Sequence, residues 1–214
     1  MRILTISSTI ISLIISLITL VSAPAWSAEF SKKEKAALFG PKSQLVTTCQ
    51  REVDARMKGL LTPEKFTPGM TQILKWTSGI VNGADLCTCV GERLSMTLTP
   101  DLLKKMTAED GAARGKLAGQ ECVIAKMQSP TSGFCAALTD DIKALRAPDQ
   151  VDESKMNEVC ACVQDSFNKL SPSTFDQFFK TTASDYNEYT SGKSAETDTL
   201  KGNMMNCGIA DLRK

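Results

Sequence analysis

Eight cysteines are the residues of this 214-residue chain whose type and spacing most plainly imply chemistry: Cys49, Cys87, Cys89, Cys122, Cys135, Cys160, Cys162 and Cys207. Four of them form two Cys-x-Cys pairs, Cys87/Cys89 and Cys160/Cys162. A thiol can act as a redox nucleophile, ligate a soft metal, or become half of a disulfide. Redox work needs a thiol pKa lowered by a cation or a helix N-terminus. Here an acid precedes each pair, Asp85 and Glu158, and a neighbouring negative charge raises a thiol pKa. Zinc sites use spacers of two to four residues and often histidine, whereas this chain has single-residue spacers and no histidine. Met204 and Met205 stand close to Cys207 and are soft ligands, yet methionine on an amphipathic helix is ordinarily core filler. No metal site is expected. An even cysteine count in an exported chain implies disulfides.

The elements that carry these cysteines read as helices almost throughout. Leu86, Val90 and Leu94 recur every four residues, as do Val159, Val163 and Phe167, with Leu170 on the same side. Phe134, Leu138, Ile142 and Leu145 mark a further amphipathic run. Thr67-Pro68, Thr99-Pro100 and Ser171-Pro172 each set a capping hydroxyl before a proline suited to the first helical position. Thr62-Pro63 reads as another short turn. Breaks fall at Gly40-Pro41, Asn82-Gly83, Ser129 to Gly133, Ala147-Pro148 and Ser191-Gly192. The pattern predicts helices near 42–60, 67–82, 84–97 and 100–127 (interrupted near Gly111), then 132–146, 153–169, 172–190 and 195–212.

On such a helix, residues two apart point about 200° away from each other. Cys87 and Cys89 then flank the Leu86–Val90–Leu94 stripe, and Cys160 and Cys162 flank Val159–Val163–Phe167. Neither pair can readily close on itself, but each can reach two neighbouring helices. Eight cysteines allow 105 connectivities. The nearest-neighbour solution is Cys49–Cys87, Cys89–Cys122, Cys135–Cys160 and Cys162–Cys207.

The cysteines also repeat. Cys49 to Cys122 spans 74 residues and Cys135 to Cys207 spans 73. Asp85-Leu86-Cys87-Thr88-Cys89-Val90 matches Glu158-Val159-Cys160-Ala161-Cys162-Val163, and Leu98-Thr99-Pro100 matches Leu170-Ser171-Pro172. An internal duplication follows. The expected fold is all-α: two tandem diverged helical modules of about four helices each, stapled by disulfides around a central Cys-x-Cys helix. Module 1 occupies 29–129 and module 2 occupies 130–214, packed against module 1.

Residues 1–28 read as a secretory signal peptide. Arg2 precedes an apolar run from Ile3 to Val21, followed by the small-residue stretch Ser22-Ala23-Pro24-Ala25-Trp26-Ser27-Ala28. Cleavage between 25 and 28 leaves about 186 residues, enough for one ordinary domain or two small ones. Removing Arg2 from 25 basic residues balances the 24 acidic ones, and a neutral chain lacks the basic excess of nucleic-acid or anionic-membrane binders. A periplasmic or secreted location is expected, without stable membrane insertion after cleavage.

The catalytic vocabulary is thin. Without histidine there is no triad, no His-based metal site and none of the commonest acid–base group near neutral pH, which leaves carboxylate pairs as the open alternative. No phosphate loop, dinucleotide fingerprint or nucleophile elbow is present. Glu109-Asp110, Asp140-Asp141 and Asp152-Glu153 are assigned to helix ends or first turns, as partners of the helix dipole. One aromatic concentration, Phe175, Phe178, Phe179, Tyr186 and Tyr189, is the candidate contact surface, set against a plain core role for the same residues. The chain is thus expected to be a non-enzymatic binding or accessory protein of the cell envelope or periplasm, free of cofactors. Its partner is unknown, a protein or a small apolar ligand. The rival is a thiol–disulfide redox or soft-metal-handling protein that uses the Cys-x-Cys pairs.

Overall fold

The computed structural model of the chain describes residues 29–60, 82–129, 132–145, 152–178 and 207–208. The described residues are all-helical, with no strand among them. In chain order the helices are α1 (Lys32–Phe39), α2 (Gln44–Leu60), α3 (Gly83–Thr97), α4 (Pro100–Lys105), α5 (Ala108–Gln128), α6 (Phe134–Leu145), α7 (Glu153–Asn168) and α8, described over 172–178. Four disulfides join them.

Most of these helices begin on a side chain that accepts an otherwise orphaned backbone N–H. Ser43 Oγ accepts from Val46 N at 3.2 Å ahead of α2, and Asn82 Oδ1 accepts from Ala84 N at 2.9 Å ahead of α3. Thr99 Oγ1 accepts from Leu102 N at 3.2 Å, with Pro100 in the first turn of α4. Asp152 Oδ1 accepts from Lys155 N at 3.0 Å ahead of α7. At α8 the relation is inverted: Ser171 N donates to Thr174 Oγ1 at 3.0 Å, and Ser171 O accepts from Phe175 N at 3.0 Å. Gly133, at φ 79°, makes the left-handed turn into α6 that the Ser129–Gly133 break predicts.

Three local expectations are corrected. Helix α1 was not predicted, yet Ser31 and Glu34 build a full capping box: Ser31 Oγ accepts from Glu34 N at 3.3 Å, and Glu34 Oε2 accepts from Ser31 N at 2.9 Å. The interruption expected at Gly111 lies instead at Met106–Thr107. Thr107 starts α5 with a second box, its N and Oγ1 donating to Asp110 Oδ2 at 3.1 and 2.7 Å. Gly111 sits inside that helix and is buried. Asp140 and Asp141, assigned to a helix end, lie within α6, and Asp141 is buried. The helix expected near 67–82, up to residue 81, the turn at Thr62, the cap at Thr67, the breaks at Ala147 and Ser191, and the leader lie outside the described residues. Of the helix expected near 195–212 only Cys207 and Gly208 are described, and Gly208, at φ 78°, is not in an α-helix.

By contacts the chain divides into two compact units, Met1–Ala55 with Asn82–Cys122 and Arg56–Val81 with Val123–Lys214. The dividing points fall within α2 and α5, whereas the sequence reading draws its boundary at residues 129/130. In the first unit, Phe39, Leu45, Val46, Cys49, Cys87, Val90, Leu94, Leu98, Ala118 and Cys122 form one buried cluster. Helix α1 packs against α3. Phe30 meets Phe39 edge to face, with ring centroids 5.6 Å apart, a favoured aromatic geometry. The carbonyl of Phe39 and Cγ2 of Val46 lie where a side chain on Gly91 would stand. A glycine on α3 therefore allows this close approach of chains.

In the second unit the buried residues include Met127, Phe134, Leu138, Ile142, Met156, Val159, Val163, Phe167, Leu170, Phe175 and Phe178. Phe167 is a hub. Its ring meets Phe134 edge to face at 5.2 Å and Phe178 at 6.1 Å, so α7 ties the start of α6 to α8.

Candidate contact surface

The sulfurs pair as Cys49–Cys87, Cys89–Cys122, Cys135–Cys160 and Cys162–Cys207, with Cα separations of 5.8, 6.0, 5.6 and 5.5 Å. All lie within the ordinary range for a disulfide. Every cysteine is paired and none is free. Each Cys-x-Cys helix is joined to two different segments, and neither pair forms a dithiol. In the second unit α7 buries Met156, Val159, Val163, Ser166 and Phe167, leaving Cys160 half-buried and Cys162 exposed at the edges of that stripe. In the first unit the stripe is rotated: Cys87 is fully buried with Val90, Gly91 and Leu94, while Leu86 is only half-buried. The absent side chain at Gly91 draws α3 inward on that side, and Cys87 turns inward with it.

The aromatic candidates separate. Phe175 and Phe178 are buried, Phe178 against the ring of Phe167, so these two belong to the core and not to a contact face. Phe179, Tyr186 and Tyr189 lie outside the described residues. Among the described residues the large apolar side chains that stand in water are Met96 on α3, 74% exposed, and Leu117 on α5, 46% exposed. Both were passed over in the sequence, although the signal was there for Met96. Leu94, two residues earlier, belongs to the buried stripe, and helical geometry turns Met96 away from it.

The helices that present these two residues are fixed to each other. Cys89 of α3 is bonded to Cys122 of α5, and Arg93 Nε lies 3.8 Å from Glu121 Oε2. Met96 follows Arg93 by three residues, and Leu117 precedes Glu121 by four. The ion pair is half exposed and contributes roughly 0–1 kcal/mol. The covalent bond is what holds the two helices together.

Electrostatically the described helices show local capping shifts. Glu34 is held below its ordinary carboxylate value by the side-chain and backbone hydrogen bonds of Ser31. Asp110 is likewise held down by Thr107. Both acids serve helix starts. Among the described residues, no group of three or more His, Cys, Asp or Glu side chains is placed to hold a metal ion. No helix among them is long and apolar enough to cross a membrane. Four disulfides are consistent with an oxidising compartment.

No protein family, curated protein or solved structure matches the chain.

Proposed function

We propose that the protein is an exported, non-enzymatic binding or accessory protein of the cell envelope or periplasm, built from two diverged helical modules and docking a protein partner. The observation that carries this reading is the exposed Met96, joined by Leu117, on two helices locked together by Cys89–Cys122. A rigid apolar surface loses little conformational entropy on binding, and flexible methionine adapts to the shape of a partner. The bridged cysteines fit a protein that works outside the reducing cytosol. A leader over residues 1–28 is the export signal in this reading, with the mature chain starting between 26 and 29.

The duplicate origin of the modules draws support from matched roles. Val90 and Val163, Leu94 and Phe167, and Leu98 and Leu170 are buried in corresponding places. Thr99 and Ser171 stand at corresponding helix starts. The residue after each Cys-x-Cys-Val segment reaches a helix C-terminus in both: Gly91 by letting the Phe39 carbonyl in, Gln164 by donating to the Met127 and Gln128 carbonyls. The rival reading, redox or soft-metal work by the Cys-x-Cys pairs as units, must first release sulfurs bonded to four different partners.

The test is a photo-crosslinking amino acid placed at 96 or 117, with Lys104 as an exposed control, in cells exporting the full chain. A discrete adduct from 96 and from 117 that is absent from 104, with the adduct at 117 lost when Met96→Lys is added, is the expected result. No adduct at either position, or equal labelling at 104, would sink the proposed face.

A further inference from the structure

The four bridges differ in how far water reaches them. Cys49 and Cys87 are 2% and 0% exposed. Cys122 is buried beside a half-buried Cys89, and Cys135 and Cys160 are both half-buried. Only in the Cys162–Cys207 bridge does one cysteine stand exposed while the other is buried. Thiol–disulfide exchange depends on access to the sulfur attacked and on the stability of the sulfur that leaves, and exposed bridges are the labile ones. The asymmetry of Cys162–Cys207 supplies a direction: an incoming thiolate meets Cys162 first, and Cys207 departs.

A second feature stands at the departing sulfur. Ser166, one turn beyond Cys162 on α7 and itself buried, places its Oγ 3.9 Å from Cys207 Sγ. The same hydroxyl donates to the Cys162 carbonyl at 3.2 Å. While the bridge is closed, Cys207 is only a weak acceptor and the carbonyl can hold the hydroxyl proton. Once Cys207 becomes a thiolate it is the stronger acceptor, and the hydroxyl needs only to rotate to reach it. At the corresponding place beside Cys89–Cys122 stands Arg93, whose Nε is engaged by Glu121.

We propose that Cys162–Cys207 is an exchangeable disulfide, a site of modification by small thiols and of reduction by dithiols, attacked at Cys162 with Ser166 positioned to stabilise the leaving Cys207 thiolate. An external thiolate RS⁻ bonds to Cys162 Sγ as the Cys162–Cys207 bond breaks, giving a Cys162–S–S–R mixed disulfide and a Cys207 thiolate that takes a proton from solvent. With a dithiol, the second thiol of the reductant displaces Cys162, so that the reductant leaves as its disulfide and the protein gains two electrons and two protons. This goes beyond the contact reading above and does not rest on it. The Cys-x-Cys pair does not act as a unit here, because Cys160 remains bonded to Cys135.

The test uses the full oxidised chain under native conditions. Glutathione is added, reaction is stopped by acid and alkylation, and peptides are mapped by mass spectrometry over time. The expected first product carries glutathione on Cys162 and an alkylated Cys207, with the Cys49–Cys87 bridge intact at least tenfold longer. Ser166→Ala should slow this opening about fivefold, since hydrogen bonds to charged groups outweigh neutral ones, while Ser166→Thr keeps the wild-type rate. Glutathione on Cys207, a different bridge opening first, all four opening at one rate, or no adduct at all would each overturn the proposal. An unchanged rate in Ser166→Ala, with the adduct still on Cys162, would overturn the role of Ser166.

Discussion

Gln128 and Gln164 cap each other's helices. Nε2 of Gln164, on α7, donates to the main-chain oxygens of Met127 and Gln128 at 3.2 and 3.1 Å, at the end of α5. In return, Nε2 of Gln128 faces the oxygens of Phe167, Asn168 and Leu170 at 3.3, 3.4 and 3.2 Å, at and just beyond the end of α7. The last carbonyls of a helix have no partner within it. Two amides thus satisfy the ends of two helices without a charge and largely without glycine.

Gln164→Ala or Gln128→Ala should each cost about 1–2 kcal/mol, because partly buried carbonyls lose their donors. The double variant should cost less than the two together, since each amide helps hold the helix end on which the other sits. Urea denaturation of the four proteins measures the coupling. Strict additivity would mean that the two caps are independent.

Glycine substitutions on two helices should move stability in opposite directions. At Gly91 a methyl would run into the Phe39 carbonyl and come within 2.9 Å of Val46 Cγ2, so Gly91→Ala should destabilise by roughly 1–3 kcal/mol despite the better helix propensity of alanine. At Gly115 nothing lies within 4 Å of the same methyl, and Gly115→Ala should stabilise by about 0.5–1 kcal/mol. Thermal melts of both variants decide the matter, and equal effects would contradict the packing of α3.

Replacing Cys89 and Cys122 together by serine should lower the stability of the first unit by about 4 kcal/mol, the chain-entropy value for a loop closed across a separation of 33 residues. The amides of α6 and α7 should keep their hydrogen-exchange protection. Equal loss across α3 and α7 would show that the staple is not local.

Acidification should loosen the start of α1. Ser31 holds the folded pKa of Glu34 below 4.5, so the capping box contributes stability above the unfolded value and loses it as pH falls through the lower, folded one. The amide of Ser31, followed by NMR, should report a midpoint below 4.5, and Ser31→Ala should move the Glu34 titration upward. The Thr107–Asp110 box should behave likewise below 3.8. A Glu34 titration indifferent to Ser31→Ala would contradict the box.

Helices carried by a periodic apolar stripe are legible in the sequence, and α3, α6 and α7 fall where Leu86, Phe134 and Val159 and their repeats place them. Starts written in a single cap were legible when proline reinforced them, as at Thr99-Pro100. The short α1 carries almost no stripe, and its one sign, Ser31 followed by Glu34, was easy to pass over. The break at Met106 was misplaced because Gly111 is the residue that ordinarily interrupts helices, while Thr107 and Asp110 build a cap through side chains. The inward turn of Cys87 depends on what Gly91 lacks, which becomes visible only once Phe39 and Val46 are placed beside it. The exposure of Leu117 was least legible, because no apolar stripe on α5 marks which side faces the core, and the aromatic content points to Phe175 and Phe178, which the core consumes.

The bridges join each cysteine to the next one along the chain: first to second, third to fourth, fifth to sixth, seventh to eighth. A polypeptide is threaded from its N-terminus, so each cysteine's partner is either the last to have emerged or the next to come. An oxidase that joins thiols in order of arrival would therefore write the native set directly. The yield of oxidised protein should depend on that oxidase and be indifferent to loss of a disulfide isomerase.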